Sequence, residues 1–543
     1  MRKTSLLSLG LIAGLVALTS GCGNRETSVE SGNRDQILHV GNLSEPTDLD
    51  PHIINSLQDF NIVLALFEGL TQYDPKDSHA TPGVATHWEA SDDVKTWVFH
   101  LRPDAKWSNG DPVTAFDFVY AYRRMLSPGL ASEYAYMLFC LEGSEAFVSG
   151  KSTDFSTVGA KALDAHTLEL KLSYPVPYLA DLVAHASWYP VHQATIETYG
   201  AMDQRGSRWT RPGNLVGNGP FTLTEWKPNQ VIRVTKSATY WDAAVVRLNE
   251  IRFYPIESTA SEEAAFRSGQ LHVTTGIPID KIAVYKNDPE LSKFLSQETQ
   301  LATYFYRFNT QKPPLDDVRV RRALSLAIDR EQIVNKVTLG GQLPARNLTP
   351  PQTAGYTAGD LLTGDVAEAQ RLLAEAGFPG GEGFPRLEIL FNTNDGHRRI
   401  AEAIQQMWRV NLGVDIGLYN QESKVQSDSM RNGDYEIARY AWIGDYLDAS
   451  TFLELMLSDS GNNQTGWANA DYDRLVNEAR YVLDPAQRFT LYREAERILM
   501  AESPIAPIYF YVNSSLQVPE LKGWYGNLID IHPYKHVHLE AAP

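Results

Sequence analysis

Residues 387–418 read LEILFNTNDGHRRIAEAIQQMWRVNLGVDIGL, a strand over 387–391, a helix over 397–410 and a second strand over 414–418. A strand, a helix and a strand in succession build α/β layers, and the spacing predicts substantially parallel sheets. The pattern extends in both directions from this stretch. Toward the C-terminus, 435–442 is a strand that breaks at Gly444. Asp484 and Pro485 then supply a cap and an N1 proline for a helix reaching Met500, and 505–512 returns as a buried strand. Toward the N-terminus, 366–376 is a helix stopped by Gly377. Apolar residues at 320, 323, 324, 327 and 328 mark 318–337 as one amphipathic helix. Residues 221–234 form a hairpin around Lys227-Pro228-Asn229. A strand over 96–101, a turn-rich 107–112 and a helix over 114–125 complete the series. No internal repeat or low-complexity block interrupts it.

The 543 residues are 43% hydrophobic and 21% charged, the composition of a large folded chain of several compact units. Residues 1–21 stand apart. Arg2 and Lys3 precede an apolar run over 6–18, broken only by Ser8, Gly10 and Gly14, and too short to cross a bilayer. This is the layout of a secretory signal peptide. It ends in Leu18-Thr19-Ser20-Gly21-Cys22, which resembles the lipobox of bacterial lipoproteins although Thr19 replaces the usual aliphatic residue. That resemblance implies lipidation of Cys22. The polar residues 22–36 that follow are expected to be a flexible tether, and no later stretch has the length and apolarity of a membrane span.

The only other cysteine is Cys140, so no internal disulfide is expected in the mature chain, and a cysteine-built metal or iron–sulfur site is excluded by count. The formal charge is −18, and loss of Arg2 and Lys3 with the leader makes it more negative. Such a charge disfavours nucleic acid and anionic lipid as partners.

Catalytic signatures are missing. The sequence has no G-x-S-x-G, no H-E-x-x-H and no Walker A loop, and Gly217-Asn218-Gly219-Pro220 lacks the third glycine of a dinucleotide loop. His536 and His538 alternate on one strand face, and are expected to lie in a solvated tail rather than on a metal. No enzyme activity, cofactor or metal is therefore expected.

Several blocks resemble the extracellular solute-binding proteins of family 5, and within it the branch that binds oligopeptides for ABC transporters. They begin with Leu49-Asp50-Pro51-His52 and Leu66-Phe67-Glu68-Gly69-Leu70, then 97–102 (WVFHLR) with 107–110 (WSNG). Gly217-Asn218-Gly219 with Tyr240-Trp241, 309–314 (NTQKPP) with 317–321 (DVRVR), and 372–377 (LLAEAG) follow. The series closes with 438–442 (ARYAW), Asp445-Tyr446 and 509–513 (YFYVN). The resemblance implies an α/β fold of the periplasmic-binding-protein-like class II, three lobes around a ligand cleft with hinge closure. Lobe I would comprise 37–67, 197–301 and 513–543, lobe II 68–196, and lobe III 302–512. A short peptide would lie extended in the cleft, paired through its backbone to protein strands, so that affinity need not depend on side-chain identity. Its partners would be short peptides and the permease subunits of an ABC transporter, with the protein a monomer held to the membrane by its N-terminal lipid only.

The same resemblance nominates site residues. Asp445 matches the aspartate that pairs with the peptide ammonium, a buried cation that needs a fixed anion. Arg439 and His397 match positions that meet the peptide carboxylate, with Arg398 beside His397. Trp442 and Tyr511 match aromatic walls, Phe305 replaces a wall tyrosine, and Asn55, Ser56 and Leu57 match the loop lining lobe I. Departures are specific. Ala302 and Ile443 stand where a well-studied branch carries a disulfide, so both partners are lost together. Thr338, Met430 and Ser423 stand where a lysine, an arginine and a tryptophan are expected. Two of those three changes remove positive charge from the carboxylate end. Murein peptide, dipeptide or a nickel chelate remain alternative ligands, as does a role as an envelope chaperone or receptor without transport. An uncharged oligosaccharide is disfavoured, because it would leave Asp445 unpaired.

Overall fold

A computed structural model describes residues 26–54, 56–421 and 423–540. The chain opens with α1 (Ser28–Asp35), where a tether was expected. Thr27 and Glu30 cap this helix reciprocally, each side chain accepting the other's backbone N–H. Gly32 packs so closely on the carbonyl of Ile37 and the ring of His272 that a Cβ would not fit. The flexible-tether expectation is therefore corrected over 28–35, a docked helix that leads directly into β1 (Ile37–Gly41). Next comes α2 (Leu57–Leu66).

The following strands are β2 (Ala85–Ala90), β3 (Thr96–Leu101), β4 (Ala160–Asp164) and β5 (Thr167–Lys171). They form an antiparallel sheet in the order β2-β3-β5-β4. Alternation in β3 turns Trp97, Phe99 and Leu101 inward against α3 (Ala115–Met125) and its surroundings. The chain returns to the first sheet as the hairpin β6 (Phe221–Lys227) and β7 (Val231–Lys236), then β8 (Glu250–Tyr254). Its order is β1-β8-β7-β6, with β1 parallel to β8. One hydrophobic core runs through both sheets.

The second half has its own core. The long β9 (Leu295–Phe308) enters it and is followed by α4 (Val318–Leu326). The single helix expected over 318–337 is broken here. Asp329 caps a new turn at Arg330–Gln332, which continues as a π-helical segment, Ile333–Thr338. The cause is Arg330, whose buried guanidinium turns inward to donate to the carbonyls of Ser325, Ile328 and Pro507. Next come β10 (Leu343–Pro344), α5 (Val366–Glu375), β11 (Leu387–Asn392), α6 (Asp395–Leu412) and β12 (Ile416–Gln421). The series ends with β13 (Ile437–Ile443), α7 (Pro485–Glu502) and β14 (Ile505–Leu516).

In α6, Ile400, Ala401, Ile404, Met407, Trp408 and Leu412 form the buried stripe. The Trp408 indole N–H donates to the Leu324 carbonyl at 2.7 Å, tying α6 to α4. The sheet order is β10-β14-β9-β13-β11-β12. β11 pairs in parallel with β12 across the α6 crossover, and with β13. Among the described residues these two pairings and β1–β8 are the parallel ladders between named strands, so the expectation of substantially parallel sheets gives way to two mixed sheets and one wholly antiparallel sheet. The hairpin β6–β7 and the antiparallel ribbon of β9 and β14 account for the difference.

That ribbon joins the two cores. Leu295 lies opposite Leu516 against the first core, and Thr303 opposite Phe510 inside the second half, with a break in register between Thr299 and Thr303. The C-terminal segment is also folded. Leu539 exchanges hydrogen bonds with the Gln36 side chain, and Lys535 is buried against Asp242. His536 and His538 are half-buried in this segment, which corrects the solvated tail expected there. Apolar Tyr534, Val537 and Leu539, all buried, hold it down.

Candidate functional site

Asp445 follows the end of β13 after Gly444, whose N–H donates to the Leu301 carbonyl. Its own N–H donates to the Thr451 hydroxyl at 3.1 Å. The carboxyl lines a cavity of about 340 Å³ walled on one side by Tyr136, Tyr178 and Cys140, and on the other by Trp442, Tyr446 and Arg480. Burial pushes this carboxyl up to about 6, although a hydrogen bond with the Tyr136 side chain opposes the shift. Arg480, which shares the wall, is paired with Glu454 at 2.9 Å and leaves Asp445 without a cation among the described residues. The indole N–H of Trp442 is buried without a partner beside it. Tyr178 and Tyr446, both in the cavity wall, stack with centroids 4.9 Å apart, joining the second sheet's half of the molecule to the third's.

A cation lies three residues before Trp442. Arg439 stands in β13 opposite Tyr306, with its guanidinium 4.6 Å over the ring of Tyr304. It donates to the Tyr511 hydroxyl at 3.0 Å and to Asn392 at 3.3 Å, and its Nε is buried without a partner. No carboxylate pairs with it among the described residues; the groups around its charge are the hydroxyls of Tyr304, Tyr509 and Tyr511. His397 sits in the first turn of α6, where its backbone N–H donates to the cap residue Asn394. Its ring meets the Tyr304 hydroxyl at 3.4 Å. Burial, and after it the Arg439 charge, pushes the imidazole down to about 4, so it is neutral at neutral pH. Arg398 is turned away and exposed, paired with Asp395 at 3.2 Å.

Phe305 is not brought to this group. It is fully buried on the opposite face of β9, edge-on to Tyr440, while Tyr304 supplies the aromatic wall. In the first half, Ser56 donates to Asp59 at 2.6 Å. Leu57, 42% exposed, lines a smaller cavity where β1, β14 and Asn61 meet. Asn55 and Cys22 lie outside the described residues, as does the side chain of Ser423. Thr338 is bonded to Gln342, and Met430 is buried in a small cluster with Leu390 and Tyr435. Sequence reading missed Tyr304 and Tyr509, which differ from the nominated Phe305 and Tyr511 only by strand parity or one pleat. It also missed Tyr136 and Tyr178, for which the run of aromatics from 134 was the available signal.

A model of the middle region of the bacterial extracellular solute-binding proteins, family 5, matches residues 79–464. The chain is 40% identical over 541 residues to the periplasmic oligopeptide-binding protein OppA of Escherichia coli K12, covering 96% of each chain. It superposes on the unliganded open form of the periplasmic murein tripeptide binding protein MppA with a TM-score of 0.83 at 36% identity, covering 93% of this chain and 97% of that one. With Haemophilus influenzae OppA in complex with RPPGFSPFR the TM-score is 0.72 at 35% identity, covering 93% and 99%. The higher of these two scores falls on the open, unliganded form.

Proposed function

The chain belongs to the bacterial extracellular solute-binding proteins of family 5, and we propose that it captures short peptides in an extended conformation and delivers them to an ABC-type import permease. The observation that carries this reading is Asp445, a carboxylate set in a cavity wall with no cation to pair with among the described residues. An anion kept in that state is matched by a ligand's α-ammonium. Arg439, ringed by tyrosine hydroxyls and likewise without an acid among the described residues, is matched by a carboxylate. A zwitterion with charges at both ends of an extended chain satisfies both.

In this reading lobes I and II share the first core and lobe III has the second. Lobe I is 37–67, 197–301 and 513–543, lobe II is 68–196, and lobe III is 302–512. The antiparallel ribbon of β9 and β14 is the hinge, its register break the place where rotation is absorbed. Closing lobe III onto lobe I brings Trp442, Tyr511 and His397 over the ligand against Ser56, Leu57 and Asn55. The protein binds and releases without a catalytic step, as a monomer exported by its leader and anchored by lipid on Cys22.

Calorimetry with tri-alanine against N-acetyl-tri-alanine tests the reading. Acetylation is expected to cost about 2–5 kcal/mol, because it leaves the Asp445 carboxylate buried and unpaired. Equal affinity for the two would overturn it.

A further inference from the structure

We propose that His87, Glu89 and His100 form a metal site on the outer face of the second sheet, for a divalent transition-metal ion of the zinc class. His87 in β2 lies directly opposite His100 in β3, and Glu89 is two residues along from His87, on the same face of the strand. One donor atom from each of the three lies within 4.8 Å of the others, and the two rings are stacked 4.4 Å apart at 9°. A tetrahedral ion with bonds of about 2.0–2.1 Å needs donors closer than this and in-plane lone pairs that converge, so binding requires one imidazole to swing out of the stack. Two imidazole nitrogens and one carboxylate oxygen favour zinc, nickel or copper over calcium or magnesium, and leave one position for water.

A neighbour fixes the tautomer. The Thr86 hydroxyl donates to the His100 carbonyl at 3.1 Å, so its oxygen accepts from His87 Nδ1–H at 2.9 Å. That leaves Nε2 of His87 unprotonated, the form a metal ligand requires, with its other nitrogen held by the kind of hydrogen bond typical of metal-bound histidine. The register break between Ala85 and His87 is what sets Thr86 beside the ring. β2 is the edge strand of its sheet, so an ion here clips that edge to β3. The face is opposite to Trp97, Phe99 and Leu101 and carries none of the residues of the cleft. The other cluster of this kind among the described residues, Asp74, Asp77 and His79, is occupied internally by the His79–Asp77 pair.

The test is a zinc titration of the full mature chain after chelator treatment, by calorimetry and by thermal melting. One saturable site and a rise in melting temperature are expected. H87Q and H100N, both at solvent-facing positions, should each abolish that site with circular dichroism unchanged. T86V should weaken it about tenfold by freeing the tautomer. Cobalt substitution adds a readout independent of folding, a visible d–d band lost in H87Q. Absence of saturable zinc binding to the wild-type chain, or binding unchanged in the H87Q/H100N double variant, would overturn the assignment.

Discussion

Ala302 in β9 stands directly opposite Ile443 in β13, at the last register pair of that ladder. The two side chains share one face, yet Ala302 is buried and Ile443 is 72% exposed. Directly opposed residues of an antiparallel pair lie within the Cα separation that a disulfide spans. The A302C/I443C variant is therefore expected to oxidise without backbone movement and to stabilise lobe III by about 2–4 kcal/mol. Denaturant melts of the oxidised and reduced forms measure this, and equal midpoints would refute it.

Asp445 gives peptide capture a pH profile. Its carboxyl ionises near 6, and only the ionised form pairs with an ammonium. Affinity for a free-amine peptide should peak near pH 7, fall as pH drops through 6, by roughly tenfold at pH 5, and fall again above about pH 8 as the ligand's amine loses its proton. D445N should bind weakly at every pH, and a wild-type profile that stays level to pH 5 would contradict the proposed pairing.

The same residue should weaken the empty protein. A carboxyl whose folded pKa is raised contributes stability below its unfolded value near 4, and that contribution is lost as pH rises through about 6. D445N is expected to melt higher than wild type at pH 7.5, and to lose that advantage at pH 4. Thermal melts of both at the two pH values would expose the opposite order.

Arg439 is predicted to read the peptide's C-terminus. Wild type should prefer a free-acid tripeptide to its C-terminal amide by about 1.5–3 kcal/mol. R439M should abolish the preference rather than merely lower both affinities, since its loss of stacking on Tyr304 affects both ligands alike. H397Q should leave the preference intact at pH 7, because that imidazole is already neutral. Calorimetry of the six combinations of protein and ligand settles the point.

Separate cores predict separate melting. W408A removes a fully buried indole and its bond to Leu324, at a cost of about 3–5 kcal/mol. The loss should fall on the transition of the second core alone, and calorimetric scans should show one peak moving while the other stays.

Local chemistry made much of the fold legible. The strand–helix–strand of 387–418, the Asp484 cap with Pro485 and the helix after the turn-rich 107–112 each depend on neighbours within a few residues, and each lies where the sequence places it. The failures depend on distant partners. The break after Leu326 is invisible without the carbonyls that Arg330 reaches, one of them on Pro507. The helix at 28–35 is polar and looks like a tether until Gly32 is seen against His272. At the site, the residue types of Asp445 and Arg439 could be read, but the tyrosines around them could not. Tyr136 and Tyr178 reach the cavity from over two hundred residues away, and whether Tyr304 or Phe305 faces Arg439 is a matter of strand parity.

The docked α1 sets the length of a leash. The cap of α1, Thr27, is only five residues beyond Cys22, and five residues reach about 18 Å at most however they are arranged. With lipid on Cys22, lobe I would be moored within that distance of the bilayer while lobe III stays free to swing. The protein would then work as a fixed jaw and a moving one, held close enough to a transporter that capture and delivery require no diffusion away from the membrane.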